Sequence, residues 1–165
     1  MPTARAELAH LRAIAQEPPG NDEFDHIEDY LAVLDGMLEG AIADREGHAE
    51  AAIVAATKAA AQCDAIPFDF GPPVTAKPPH EFAGELLLKA GRGREALAEF
   101  DHALQDAPQR ALSLLGRARA LKASGDSTGA AHAYSELAAI WKTADADLAA
   151  LAEVRKGTGE AAATR

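Results

Sequence analysis

The densest grouping of metal-ligand residue types in this 165-residue chain is Asp22, Glu23, Asp25, His26 and Asp29. On a helix, Asp25 or His26 falls one turn before Asp29, because side chains three or four apart share a face. A metal site needs three or four donors converging with defined geometry, and no calcium-loop pattern is present. The cluster therefore reads as an acidic helix start, which the helix dipole favours. His80-Glu81 opens like a zinc-protease helix, yet Gly84 stands where the second histidine of H-E-x-x-H belongs. His10, His48, His102 and His132 are scattered, with no recognisable nucleophile partnered to any of them. Cys63, the single cysteine, excludes an internal disulfide and reads as a small hydrophobe at a helix end. Gly91-Arg92-Gly93 lacks the lysine spacing of a phosphate loop. These residues predict no catalytic set, no metal site and no cofactor; a metal-binding or enzymatic protein built on Asp22–Asp29 is the remote alternative.

The elements that position these residues are helical. Alanine supplies much of the 48% hydrophobic fraction and only 5% of residues are aromatic, which suits closely packed helices better than a β-sandwich. Apolar spacing predicts helices over about 3–16, 22–45, 48–63, 80–90, 94–106, 110–124, 128–143 and 145–155. Ile27, Leu31, Leu34 and Leu38 form one such stripe. Pro18-Pro19-Gly20 breaks the chain between the first two helices, and Ile66-Pro67-Phe68-Asp69-Phe70-Gly71-Pro72-Pro73 cannot be helical. Phe68 and Phe70 are expected to tuck against the helices or to fill a groove. The tail from Gly157 is small and polar and is expected to fray.

An internal period runs through the helix pairs. Gly84 and Ala118, Leu87 and Leu121, Gly91 and Gly125, Ala96 and Ala130, and Phe100 and Tyr134 are each 34 residues apart. An earlier unit carries Gly40, Gly47, Ala52, Ala56 and Ala59, offset by 44 residues (Gly40 to Gly84, Ala52 to Ala96). The extra ten residues fall where the proline and phenylalanine segment lies. Ala4, Leu8 and Leu11 repeat the spacing of Ala52, Ala56 and Ala59, so the first helix reads as the second helix of a pair. The resulting organisation is an N-terminal helix (1–20), an imperfect pair (22–63), a linker (64–79), two pairs (80–109 and 110–143), a capping helix (144–156) and a tail (157–165).

His80, Ala83, Gly84 and Leu87, followed by Ala96, Phe100, Ala103 and Pro108, match the tetratricopeptide (TPR) pattern, with His80 and Leu87 in place of its tryptophan and tyrosine. Pro67-Phe68-Asp69-Phe70-Gly71-Pro72-Pro73, Glu85-Leu86-Leu87-Leu88 and Gly116-Arg117-Ala118-Arg119-Ala120 resemble the C-terminal part of longer bacterial TPR proteins of unassigned function. The resemblance, over about 34–154, implies an all-α, right-handed superhelix of antiparallel helix pairs with flanking terminal helices. It implies a protein-interaction scaffold that is not an enzyme, or else a structural C-terminal module of a longer array. Carried onto this chain, the usual groove positions give Leu34, Met37, Glu81, Glu85, Leu88, Leu112, Leu115, Arg119 and Lys122 as the partner surface. Arg119 and Lys122, one turn apart, would contact an acidic group.

The net charge of −10 makes a phosphate backbone an unfavourable partner, so nucleic acid is not expected. No apolar run approaches the ~18 residues that span a bilayer. Met1-Pro2-Thr3-Ala4-Arg5 does not open a signal peptide. As written, the chain is expected to be soluble and cytoplasmic, with a protein or peptide as partner.

Overall fold

The computed structural model describes residues 2–16, 26–67 and 75–159. Among these residues eight α-helices follow one another with no strand: α1 (Pro2–Ile14), α2 (Ile27–Arg45), α3 (Ala49–Asp64), α4 (Pro79–Lys89), α5 (Gly93–Asp106), α6 (Ala111–Ala123), α7 (Ser127–Ile140) and α8 (Leu151–Gly157). A 3-10 turn, Trp141–Thr143, extends α7. The chain is all-α, and no helix among the described residues is long and apolar enough to cross a membrane. Phe68 and Phe70 lie outside the described residues, as do Asp22, Glu23 and Asp25.

The helix turns carry one recurring geometry. Gly47, Gly91, Gly125 and Gly159 have φ of +84, +75, +87 and +77°, and they are the positive-φ glycines of the described chain. A Cβ at any of the four would meet nothing within 4 Å, so it is backbone conformation and not space that calls for glycine. In the first three turns the glycine N–H donates three residues back, to Asp44, Leu88 and Lys122, at 3.0–3.1 Å. The next N–H donates five residues back, from His48 to Ala43, Arg92 to Leu87 and Asp126 to Leu121, each at 2.9 Å. This arrangement satisfies carbonyls that a helix end leaves open. Gly159, 34 residues beyond Gly125, repeats the first of these bonds to Lys156 at 3.3 Å.

Two expectations change at the C-terminal end. The last helix begins at Leu151 and not at Asp145, because Leu148 N–H→Asp145 O and Leu151 N–H→Leu148 O close two successive turns first. Gly157 does not start a frayed tail. It is the last residue of α8, and a Cβ there would overlap the ring of Tyr134. The helix ends at Lys89, Ala123 and Gly157 are themselves 34 residues apart, so α8 falls in the register of a first helix.

The chain divides into two compact units, Met1–Leu86 and Leu87–Arg165, and the division falls inside α4 rather than at the proline-rich segment. In the first unit α2 and α3 approach closely through small residues. A Cβ on Gly36 would stand 3.1 Å from that of Ala59, and one on Gly40 would stand 3.1 Å from the carbonyl oxygen of Ala52. Ala52, Ala56 and Ala59 are fully buried in consequence. Phe82 of α4 brings its ring edge against Gly40, 3.2 Å from where a Cβ would sit.

In the second unit the ring comes from the second helix of each pair. Phe100 of α5 is wholly buried against Gly116 of α6, and Tyr134 of α7 lies against Gly157 of α8. A Cβ on Gly116 would overlap the Phe100 ring. Burying such a ring contributes about 1.5–3 kcal/mol, and here it depends on a missing methyl on the facing helix. Leu114, Leu121, Leu137 and Val154 complete the core around Tyr134.

Candidate partner surfaces

The residues expected to form one partner surface have unequal exposure. In the first unit Leu34 and Met37 are half-buried on α2. Glu81 is wholly buried at 0% exposure, and it is engaged with other groups rather than offered to solvent. Glu85 is exposed and forms an ion pair with Lys77 at 2.5 Å. In the second unit Leu88 is half-buried, while Leu112 stands 50% exposed on α6. Leu115 is 5% exposed and belongs to the core. Glu81 and Leu115 therefore do not display their side chains to a partner, whereas Leu112 and Lys122 do.

Arg119 is exposed but engaged. Its Nη2 donates to Glu153 Oε2 at 2.6 Å and its Nε to Oε1 at 3.0 Å, a two-pronged pair that joins α6 to α8. The Tyr134 hydroxyl donates to the same carboxylate at 2.6 Å. Glu153 thus accepts from a cation and a phenol at once, and Lys122 adds its charge nearby. The Arg119 hydrogen bond holds the Glu153 carboxyl below its ordinary value, with Tyr134 and the nearby charges acting the same way against partial burial. Burial pushes the Tyr134 hydroxyl above the usual phenol range, and the bond to Glu153 pushes it further.

The two shifts are opposite in direction, and they fix both groups in one state. The carboxylate stays ionised and the phenol stays protonated across the neutral range, so no proton moves between them there. This arrangement is a clasp, not an acid–base pair. It holds α8 on α6 and α7 together with the buried side chains of Leu151 and Val154. Besides Arg119, the exposed residues of α6 are Leu112, Lys122 and Ala123.

A second clasp holds α1. Arg5 donates from Nη2 to Glu46 Oε2 at 2.5 Å and from Nε to Oε1 at 3.0 Å. Arg12 reaches Asp35 Oδ1 at 2.6 Å and Glu39 Oε2 at 3.6 Å. The Arg5 hydrogen bond keeps the Glu46 carboxyl below its ordinary value. Beside this clasp a groove of about 340 Å³ runs between α1, α2 and α3, with Leu11, Leu31, Ala32, Gly36 and Ala55 on its floor and walls.

His26, His48, His80 and His132 each lie beside a carboxylate. His26 Nδ1 lies 3.2 Å from Asp29 Oδ2, both exposed, and His26 adopts a left-handed φ of +66° just before α2. His80 Nε2 lies 2.9 Å from Asp64 Oδ1. Cys63 is half-buried in the last turn of α3. Neither clasp is visible as a sequence motif, because each joins residues on different helices. The one signal for the C-terminal clasp is that Arg119 and Glu153 stand 34 residues apart, at equivalent positions of successive first helices.

Against known proteins, no family model matches this chain and no curated protein matches it.

Proposed function

We propose that this chain is a non-catalytic helical-repeat scaffold of the TPR type, whose first helices present a partner surface to a peptide or protein segment. The observation that carries this reading is the turn glycine repeated at 47, 91, 125 and 159, with the same left-handed backbone each time. The bonds three and five residues back recur in the first three turns. Buried small residues accompany it at Gly40, Gly84 and Ala118, and at Ala52, Ala96 and Ala130. A unit repeated in this way stacks on its neighbours, and right-handed superhelical stacking of such pairs lines a concave face with first helices.

On that reading the contact residues of the second unit are Leu112 and Lys122 on α6, whose side chains are accessible; in the first unit, taken by itself, Leu34 and Met37 are the half-buried apolar positions of α2. Lys122, in a chain of net charge −10, gives an acidic segment of a partner a local point of attraction. Arg119 is engaged by Glu153 and serves to hold α8 on α6. The alternative reading, a structural module that ends an array, draws support from α8, whose clasp and buried Leu151 and Val154 cover the last pair.

Affinity capture with the wild-type chain and with Leu112→Glu/Lys122→Glu separates the two. A partner retained by the wild type and lost from the double variant, at unchanged helicity, sustains the scaffold reading. A partner that ignores the α6 variant but is lost on reversing Arg155 and Lys156 of α8 overturns it in favour of the end module.

A further inference from the structure

The charge of this chain is divided unevenly between its two units. Residues 1–86 carry 16 aspartates and glutamates against five lysines and arginines, a net charge of −11. Residues 87–165 carry ten against 11, a net charge of +1. The first unit, taken by itself, thus accounts for the acidity of the whole chain. The groove of about 340 Å³ between α1, α2 and α3 lies in this unit. Its α2 wall is one helical stripe, Glu28, Leu31, Asp35 and Glu39, spaced three or four residues apart. At the Asp35 end the charges cancel. Arg12 meets Asp35 at 2.6 Å and Glu39 at 3.6 Å. Ala59 faces Gly36, which puts its chain neighbour Lys58 at the level of Asp35. Two cations thus oppose two carboxylates there. Glu28, two turns away, is exposed, and its carboxylate has no ion pair or hydrogen bond among the described residues. Gly36 faces Ala59 and Gly40 faces Ala52, so α3 runs antiparallel to α2 and Gln62 lies on the Glu28 side of Lys58. The surface between the two ends is apolar, formed by Leu11, Leu31 and Ala32.

We propose that this groove takes a basic side chain from a segment of a partner protein. The aliphatic stem of a lysine or arginine lies on Leu11, Leu31 and Ala32, and its cation meets the Glu28 carboxylate and the side-chain carbonyl of Gln62. Long basic side chains combine these two demands, since their stems cover apolar surface while their heads stay at its polar edge. The volume of about 340 Å³ is at the small end of ligand sites, enough for one or two side chains and too small for a whole helix. Charge decides the sign of the occupant. A net −11 over the first unit repels an anionic segment and draws a cationic one, over a range of about 8 Å at physiological ionic strength. Within the groove Glu28 is the carboxylate left without a cation of its own, so the local charge agrees with the wider field. This site is separate from the α6 surface, which offers Lys122 to an acidic segment from a unit of net charge +1.

The probe is a fluorescein-labelled peptide of lysine, leucine and glycine, and its counterpart has glutamate in place of lysine. Binding to the full-length chain is read by fluorescence anisotropy. The lysine peptide is expected to bind and the glutamate peptide is not. Three variants then separate the groove from the general field. Glu28→Gln removes the free carboxylate, and Ala32→Trp fills the apolar floor from an exposed position. Glu7→Gln removes the same charge from an exposed position of α1 outside the groove. Glu28→Gln and Ala32→Trp are each expected to weaken binding roughly fivefold, and Glu7→Gln by less than about twofold. Equal losses from Glu28→Gln and Glu7→Gln overturn the inference, because the field alone then accounts for binding. So does a lysine peptide that fails to bind the wild type or binds no better than the glutamate peptide. Unchanged binding to Ala32→Trp overturns it equally; where that variant loses its helical circular dichroism, the comparison of Glu28→Gln with Glu7→Gln decides.

Discussion

Replacing Gly116 with alanine sets two known effects against each other. In the middle of a helix alanine is favoured over glycine by about 1 kcal/mol. Against this, the added methyl would overlap Cε1 and Cζ of Phe100, whose ring is wholly buried and has no free direction in which to retreat. Overpacking of this kind costs about 1–3 kcal/mol. The variant is therefore expected to be destabilised by roughly 0–2 kcal/mol, the difference of the two terms. A second background separates them. With Phe100→Leu the ring edge is gone, and Gly116→Ala should become stabilising by up to about 1 kcal/mol. Helix propensity cancels around the cycle, which leaves an interaction energy of about 1–3 kcal/mol for the methyl–ring clash. Urea unfolding followed by circular dichroism gives all four free energies, with m-values that should agree if the unfolded states are alike. The packing argument fails if Gly116→Ala stabilises the wild type by about 1 kcal/mol and does the same in the Phe100→Leu background.

The turns and the two clasps give four further outcomes. Gly47→Ala, Gly91→Ala and Gly125→Ala should each cost about 1–2 kcal/mol, since each forces a Cβ into a left-handed backbone with no neighbour to add to or offset the strain; a spread among the three wider than that range would show that the turns are not equivalent. Glu153→Ala should destabilise α8 by about 1–3 kcal/mol because it strips the buried Tyr134 hydroxyl of its acceptor, seen as faster amide exchange across residues 151–157. The Glu153 carboxyl sits below its ordinary 4.5, so its contribution is complete above that pH and is lost as the pH falls below it; Glu153→Gln should flatten that acid limb of the unfolding curve. Raising salt from about 0.05 to about 1 M should speed amide exchange in α1, where exposed ion pairs carry the attachment, and leave α3 unchanged, because the screening length contracts to about 3 Å.

Much of the fold was legible because its determinants are short-range or periodic. The turn glycines, the alanines at helix crossings and the aromatic at Phe100 and Tyr134 recur at fixed offsets, and α3 to α7 begin and end within a few residues of their predicted positions, whereas α8 starts at Leu151 and not at Asp145. Gly159 was equally legible by offset from Gly125, but the small polar composition after Gly157 reads as a tail when composition is weighed ahead of period. Side-chain exposure was less accessible. Leu115 and Glu81 were placed on a surface by position within a repeat, yet neighbouring helical positions differ by about 100° and one position decides between core and solvent. The clasps were barely legible, the 34-residue offset of Arg119 and Glu153 being the one signal. An arginine and a glutamate 34 or 41 residues apart form a pair only once the helices between them are placed, and the sequence holds many such combinations.

The two end helices are attached by different physics, and this sets how each can behave. α8 is held by two buried aliphatic side chains, a glycine fitted under the Tyr134 ring, and a carboxylate that satisfies a buried hydroxyl as well as a cation. These contacts are short-ranged and shape-dependent, and removing any of them leaves a cavity or an unsatisfied polar group. α1 rests on one buried leucine and on ion pairs whose arginines are 48–60% exposed. Such pairs contribute little individually and are weakened by salt. The two arginines bind at separate points, Arg5 at Glu46 and Arg12 at Asp35 with Glu39 3.6 Å away, so together they fix the antiparallel direction of α1 on α2. Sites that open at low cost are where binding and exchange occur in otherwise stable folds, and by that criterion the α1 attachment is the part of the first unit to probe first.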